Sequence, residues 1–364
     1  TTVSVTQTAA SATSSNTEIS STADSNEQAD GKARSRHAPG AKIAKESIGV
    51  NLSSAQKEWV DRQLTAYQEK YAGSKAYAQE HRAYLADPRT VSGFNPDWKE
   101  IVFQIVTKAS KGSKLWDIDG NELIDITNGF GPILFGHSPD FITEAVKQQI
   151  DKGIETGPSS PIAGEVAKLF CELTGNERCS FASTGSEAVM GAVRLARTVT
   201  GRKTVVMFEG AYHGIFDEFI VRPGRDYQAL PAAPGILKEM TSNMLVLPWG
   251  DPDSIDVIRE LGDSLAAVLV EAVQSRQPGF HDASYIHQLR SVTKESDSAL
   301  ILDEVVTGFR VAPGGIRERF DVDADLATYG KVVGGGYPIG IIGGKAKFMD
   351  ALDGGYWQFG DDSI

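Results

Sequence analysis

From Cys179 onward the chain alternates short apolar runs with helix-patterned segments. CSFAS, TVVMFEG, MLVLPWG, LAAVLVEAV, ALILDEV, DLATYGK and IGIIGG are separated by stretches such as SEAVMGAVRLARTVT and SIDVIRELG. Runs this short and this apolar suit strands buried on both faces, and strands that alternate with helices form a mostly parallel sheet covered by helices on both sides. The expected fold class is therefore α/β.

The rest of the chain is organised around that block. Residues 1–46 are dominated by Ser, Thr, Ala, Asn, Gln and Asp with almost nothing to bury, the composition of a disordered interdomain linker. Residues 47–93 read as a helical extension. Ser53 and Gln56 form a capping box, Val60, Leu64, Tyr67 and Tyr71 share a helical face, and a second helical stretch, KAYAQEHRAYLA, is expected to run up to Asp87-Pro88. The main domain is expected over 94–364, its large part spanning about 150–350. It opens with a hairpin turned by Asp119-Gly120-Asn121. The final DGGYWQFGDDSI has no helix stop, so the chain is expected to break off inside a domain.

A formal net charge of -12 over 364 residues, with no segment of clustered Lys and Arg, argues against phosphate-neutralising binding to nucleic acid. The two cysteines, Cys171 and Cys179, have neither zinc-site spacing nor the numbers of a disulfide scaffold, so no metal is expected and a reducing compartment is. No apolar run reaches membrane-spanning length and no signal sequence opens the chain, which points to the cytoplasm and to no membrane partner.

In open α/β sheets functional residues gather at strand ends, and four such ends carry unusual chemistry. Ser183-Thr184-Gly185-Ser186 enters a helix, where free amides and the dipole suit a phosphate, although plain capping by Ser or Thr is equally available. FEGAYHG offers the Tyr212 ring and the His213 imidazole, for stacking or for simple loop packing. ALILDEVV delivers Asp303 and Glu304, whose burial is costly unless a cation, a metal or a protonated ring nitrogen meets them. Lys331 ends DLATYG, and Gly334, Gly335 and Gly336 after it free the backbone to approach a flat ligand; a lysine desolvated there becomes a nucleophilic amine. A phosphate, a flat ring, a basic ring nitrogen and an aldehyde are together satisfied by pyridoxal phosphate.

From about Phe94 to the end, the ordered series DGNELIDITNGFGPILFGHSP, STGSEAVMGAVRLAR, GAYHG, VEAVQSRQPG, LILDEVVTGFR and YGKVVGGGYPIG resembles the class III aminotransferases of the fold-type I pyridoxal phosphate superfamily. Within the class it is similar to glutamate-1-semialdehyde aminomutase and, more so, to aminotransferase modules of hybrid polyketide and non-ribosomal peptide synthetases. The resemblance implies that Lys331 is the Schiff-base lysine, that Asp303 faces the pyridine nitrogen, and that Val305 and Tyr212 pack on the two ring faces. It places Gly185 and Ser186, with Thr184, at the phosphate and Gln274 near the ring hydroxyl, and gives His213 no proton-transfer role. Glu271-Ala272 departs from the usual Glu-Pro. The resemblance also implies a C-terminal small domain, expected to be missing here, and an active site at a homodimer interface. The implied reaction draws nitrogen from an amino donor, glutamate or glutamine. The acceptor expected first is a 3-oxoacyl chain on a carrier protein; the aminomutase reaction is the second expectation and a non-catalytic scaffold the last. In the loop NGFGPILFGHS, Phe130 and Ile133-Leu134-Phe135 are expected to shape the acceptor entrance.

Overall fold

The computed structural model describes residues 52–87 and 96–354, apart from residues 156 and 158. The Ser/Thr-rich tract over 1–46 and the chain beyond Gly354 lie outside the described residues.

Helix α1 (Ser54–Lys70) starts where the capping box is expected: Gln56 donates its amide to Ser53 Oγ at 3.4 Å, and the Gln56 side chain accepts the Ser53 amide at 2.9 Å. Helix α2 (Ala72–His81) stops short of Ala86. The proline at 88 biases only its immediate neighbour, and the stop is local: the amides of Tyr84 and Leu85 both donate to the His81 carbonyl, at 2.9 and 2.8 Å, and close the helix as a turn. The expected hairpin joins β2 (Lys114–Asp117) to β3 (Glu122–Ile124), with β1 (Thr107–Lys111) completing a small antiparallel sheet. Its turn residue Asp119 accepts hydrogen bonds from the Gly73 and Ser74 amides, at 2.5 and 3.0 Å, and from Ser74 Oγ at 3.0 Å. One carboxylate thereby fastens the start of α2 to the sheet.

Helices α3 (Asp140–Lys152) and α4 (Pro161–Thr174) lead into the main sheet. There follow β4 (Arg178–Ala182), α5 (Gly185–Thr200), β5 (Thr204–Phe208), a short hairpin of β6 (Val221–Pro223) and β7 (Ala229–Pro231), and β8 (Met244–Leu247). The chain continues through α6 (Pro252–Leu261), β9 (Leu265–Val270), α7 (Ala283–Glu295), β10 (Ala299–Asp303), β11 (Leu326–Tyr329) and β12 (Gly340–Gly344). Seven strands pair in the order β4-β12-β11-β10-β9-β5-β8. Only β12 runs against its neighbours, β11 and β4. Residues 330–339 are too short a return for the helical crossover that parallel pairing needs.

Each face of the sheet carries its own core. Phe208, Tyr285, Leu289 and Tyr329 lie in one, and Ala188, Ala192 and Leu195 of α5 pack with Leu269 and Ile301 in the other. All residues of β9 and β10 are buried, each large aliphatic side chain contributing about 2 kcal/mol. The parallel strands β5, β9, β10 and β11 therefore share one carboxyl edge, and residues 209–214, 271–276, 303–305 and 330–331 follow it.

Candidate active site

That edge holds a cavity of about 190 Å³ lined by Thr184, Gly185, Ser186, Tyr212, Gly214, Glu271, Asp303, Val305, Val306 and Lys331. Seven of the eight residues expected to bind the cofactor meet there, and Gln274 is not on the wall.

Lys331 follows β11 at φ +48°, a left-handed conformation that few side-chain-bearing residues adopt. Burial lowers its affinity for a proton, and nearby Asp303 and Glu271 only partly oppose this. Over it passes the loop through Gly131, held by Arg310, whose guanidinium donates to the Gly131 carbonyl. Gly131 sits at φ +113°, and a Cβ there would lie 3.4 Å from Lys331 Cδ. Phe130 of the same loop is largely exposed.

Asp303 is the last residue of β10 and is 5% exposed. Its Oδ1 accepts the Val305 amide at 3.1 Å and Thr328 Oγ1 at 3.4 Å, while Oδ2 lies 2.7 Å from His213 Nδ1. His213 is buried, and among the described residues its Nε2 has no hydrogen-bond partner. Glu304 turns away from the cavity: its carboxyl takes the Thr307 hydroxyl and the Arg317 amide, the latter at 2.8 Å, and burial raises its pKa. Its role is to fold the segment after β10.

At the start of α5, Thr184 accepts the Glu187 amide at 3.2 Å, and Glu187 Oε2 takes the amides of Ser183 and Thr184 at 2.9 and 2.8 Å. The Thr184 hydroxyl is thus engaged as the cap. The next two amides, of Gly185 and Ser186, have no carbonyl to bond within the helix, the kind of end that suits an anion. The strands crowd this turn: a Cβ on Gly340 would lie 2.0 Å from the Thr184 carbonyl oxygen, and one on Gly185 would lie 3.0 Å from both Val305 methyls.

Tyr212 lies on the cavity wall with the Arg276 guanidinium carbon 5.4 Å from its ring centroid. Gln274 is buried behind the loop, where Nε2 donates to the Glu209 carbonyl at 2.8 Å and Oε1 approaches Gly210, a position at φ +82° with no room for a Cβ. Gly334, Gly335 and Gly336 do not line the cavity. Gly334 and Gly335 accommodate Ile339 and Ile142 instead, so they serve packing rather than approach to a ligand.

Two residues join the site beyond those expected to bind the cofactor. His213 is Asp303's partner, and Glu271, 3% exposed, stands directly after β9 as Asp303 ends β10. Glu271 Oε2 accepts the Tyr212 amide at 3.1 Å and Oε1 the Ser275 amide at 2.8 Å. Burial raises its pKa, and Asp303 adds to the shift. A carboxylate following the six apolar residues of LAAVLV is the signal that marks it.

The donor set fits pyridoxal phosphate: amides at a helix start for the phosphate, a ring and a valine for the flat faces, a buried carboxyl and an amine of lowered proton affinity. The model of the family aminotransferase class-III matches residues 95–358. The chain belongs to the class III aminotransferases. A glutamate-1-semialdehyde 2,1-aminomutase of Methanosphaera stadtmanae is 40% identical over 251 residues, covering 68% of this chain and 59% of the relative. An omega-transaminase from Sphaerobacter thermophilus superposes with a TM-score of 0.71 at 29% identity, covering 78% of this chain and 66% of that one. A transaminase with PLP bound superposes with a TM-score of 0.70 at 30% identity, covering 79% and 67%. This class III aminotransferase chain has a fold-type I sheet and uses pyridoxal phosphate. It spans about three fifths of the length of the curated aminomutases it matches, for example 59% and 57%. Among the described residues no group of His, Cys, Asp and Glu is placed to hold a metal ion, and no helix is long and apolar enough to cross a membrane.

Proposed function

We propose that this chain moves an amino group from an amine to a carbonyl carbon, within one molecule or, in the carrier-bound reading, from glutamate or glutamine, with Lys331 as the residue that attaches the cofactor and shuttles the proton. The observation that carries this reading is the single cavity shared by Lys331, Asp303 and the Gly185–Ser186 amides. When bound, pyridoxal phosphate supplies the electron sink that stabilises negative charge at the substrate carbon. Asp303, braced by His213 and by the Val305 amide, would present its carboxylate to the ring nitrogen. The Gly185 and Ser186 amides would hold the phosphate, and Tyr212 and Val305 would cover the ring faces. Lys331 Nζ, kept neutral more readily than an exposed amine, accepts a proton at one carbon and returns it at another.

The acceptor we favour is glutamate 1-semialdehyde, the substrate named for the curated relatives, with amino transfer between adjacent carbons of one molecule. This reverses the order drawn from the sequence, in which a carrier-bound 3-oxoacyl chain comes first. The carrier-bound chain is kept as the second reading. The working unit proposed for either reaction is a homodimer.

One experiment separates the readings. The chain is loaded with pyridoxal phosphate and offered glutamate 1-semialdehyde, or nitrogen-15 glutamate with a 3-oxoacyl carrier protein, and both products are followed by mass spectrometry. Isomerised semialdehyde supports the favoured acceptor; label in the acyl chain supports the other. Turnover that survives Lys331→Ala sinks the assignment of Lys331.

A further inference from the structure

Glu271 presents a feature that the reaction as described does not use: a second buried carboxyl on the cavity wall, beside Asp303. Its two oxygens are both engaged by amides, Tyr212 N at 3.1 Å on Oε2 and Ser275 N at 2.8 Å on Oε1. The first of these amides belongs to the residue whose ring lines the cavity, and the next residue, His213, contacts Asp303 through Nδ1 at 2.7 Å. Glu271 therefore touches the loop at the point where it changes from structural support to cavity wall. Among the described residues no side-chain cation pairs with it; the charge it carries is opposed through space by His213 and felt by Lys331.

We propose that Glu271 is a positioning residue that acts through two neighbours: it seats Tyr212 on the cavity wall by accepting its amide, and it places a carboxylate on the same wall as Lys331. The inference rests on the cofactor site and not on which acceptor is used. Four groups face this pair. Asp303 at the end of β10 adds negative charge, Arg310 opposes it from the segment after β10, and His213 and Tyr212 face it from the loop after β5.

The sign follows from Coulomb's law. Burial already lowers the Lys331 pKa, and Glu271 together with Asp303 limits the fall. Neutralising Glu271 removes one of those two anions, so the amine loses its proton at lower pH. Keeping the charge on a shorter side chain leaves the field in place but withdraws the acceptor from Tyr212. Glu271→Gln and Glu271→Asp therefore divide the two roles between them.

The test uses the full chain stripped of cofactor, so that its readout does not depend on turnover. Lys331 is reductively methylated with formaldehyde and cyanoborohydride across a pH series, and the modified peptide is quantified by mass spectrometry. Amide exchange at 209–214 is measured on the same samples. The midpoint for Lys331 modification should fall by about 1 pH unit in Glu271→Gln and stay near the wild-type value in Glu271→Asp. Exchange at Tyr212 should quicken roughly tenfold in Glu271→Asp. An unmoved midpoint in a folded Glu271→Gln protein overturns the proposal, and so does wild-type exchange at Tyr212 in Glu271→Asp. If either variant fails to fold, Glu271→Ala in a background stabilised by added phosphate replaces it under the same two criteria. Loss of all amino transfer in wild-type protein would count against the proposed function and leave both of these readouts intact.

Discussion

Lys331 carries two penalties at once, a left-handed backbone at φ +48° and a buried amine. Glycine meets the first without strain, so Lys331→Gly should be more stable than Lys331→Ala by about 1 kcal/mol, against the usual order of those residues. Urea unfolding of the two apoproteins measures it; equal stabilities would mean that the backbone there relaxes. Both variants should also gain over wild type at neutral pH. With the folded pKa below the unfolded one, the unfolded chain binds more protons in the window between them, so wild-type stability rises with pH there and the variants' advantage shrinks. Repeating the unfolding at about pH 7 and pH 10 checks that sign. The same residue shows why parts of the site were legible in the sequence. Lys331 and Asp303 each end a short apolar strand, and a costly group at a strand end has few structural reasons to be there. The rule applies equally to Glu271 after LAAVLV, whereas the geometry of Gln274, turned onto the Glu209 carbonyl, depends on a contact 65 residues away that no local pattern encodes.

Strands and helices of the main sheet were readable because burial on both faces leaves uninterrupted apolar runs, and β4, β5 and β8 to β12 lie where those runs occur. Strand direction is a different matter, since β12 has the same apolar texture as its parallel neighbours, and only the short return from β11 reverses it. The hairpin of β6 and β7 was illegible for the opposite reason: VRP and ALP are short and carry prolines, which sequence rules read as loop. The antiparallel β12 has a consequence at the site, because its first residue passes under the turn that starts α5. With a Cβ placed 2.0 Å from the Thr184 carbonyl, Gly340→Ala must push strand and turn apart. A loss of about 2 kcal/mol in stability is expected, together with weaker binding of inorganic phosphate at the Gly185 and Ser186 amides. Calorimetric titration of phosphate into the folded variant tests the second effect; unchanged affinity would show that the turn moves as a rigid unit.

At the scale of the whole molecule, α1 and α2 stand outside the residues matched by the aminotransferase family model, yet they are fastened to its first sheet at one turn, where Asp119 takes the Gly73 and Ser74 amides and Asn121 donates to the Lys70 carbonyl at 3.0 Å. Asp119 was legible as a turn residue, and its second role was not, because its partners Gly73 and Ser74 lie 46 and 45 residues earlier. Its desolvation on docking would raise the pKa, but the hydrogen bonds from Gly73 and Ser74 outweigh that and hold the carboxyl below its ordinary value. A depressed carboxyl contributes its stabilisation above the unfolded pKa and loses it as pH falls through the folded one. The helices should therefore loosen on acidification before the main sheet does. Asp119→Ala should produce the same loosening at neutral pH: amide exchange over 72–81 quickening roughly tenfold or more, with methylation of Lys331 unchanged. Lys75, which bonds Gln68 and Glu100 at 2.6 and 2.8 Å, is the competing fastener. If Asp119→Ala leaves exchange at wild-type rates while Lys75→Ala raises it, the helices are held through the segment before β1 and the hairpin turn is only a neighbour.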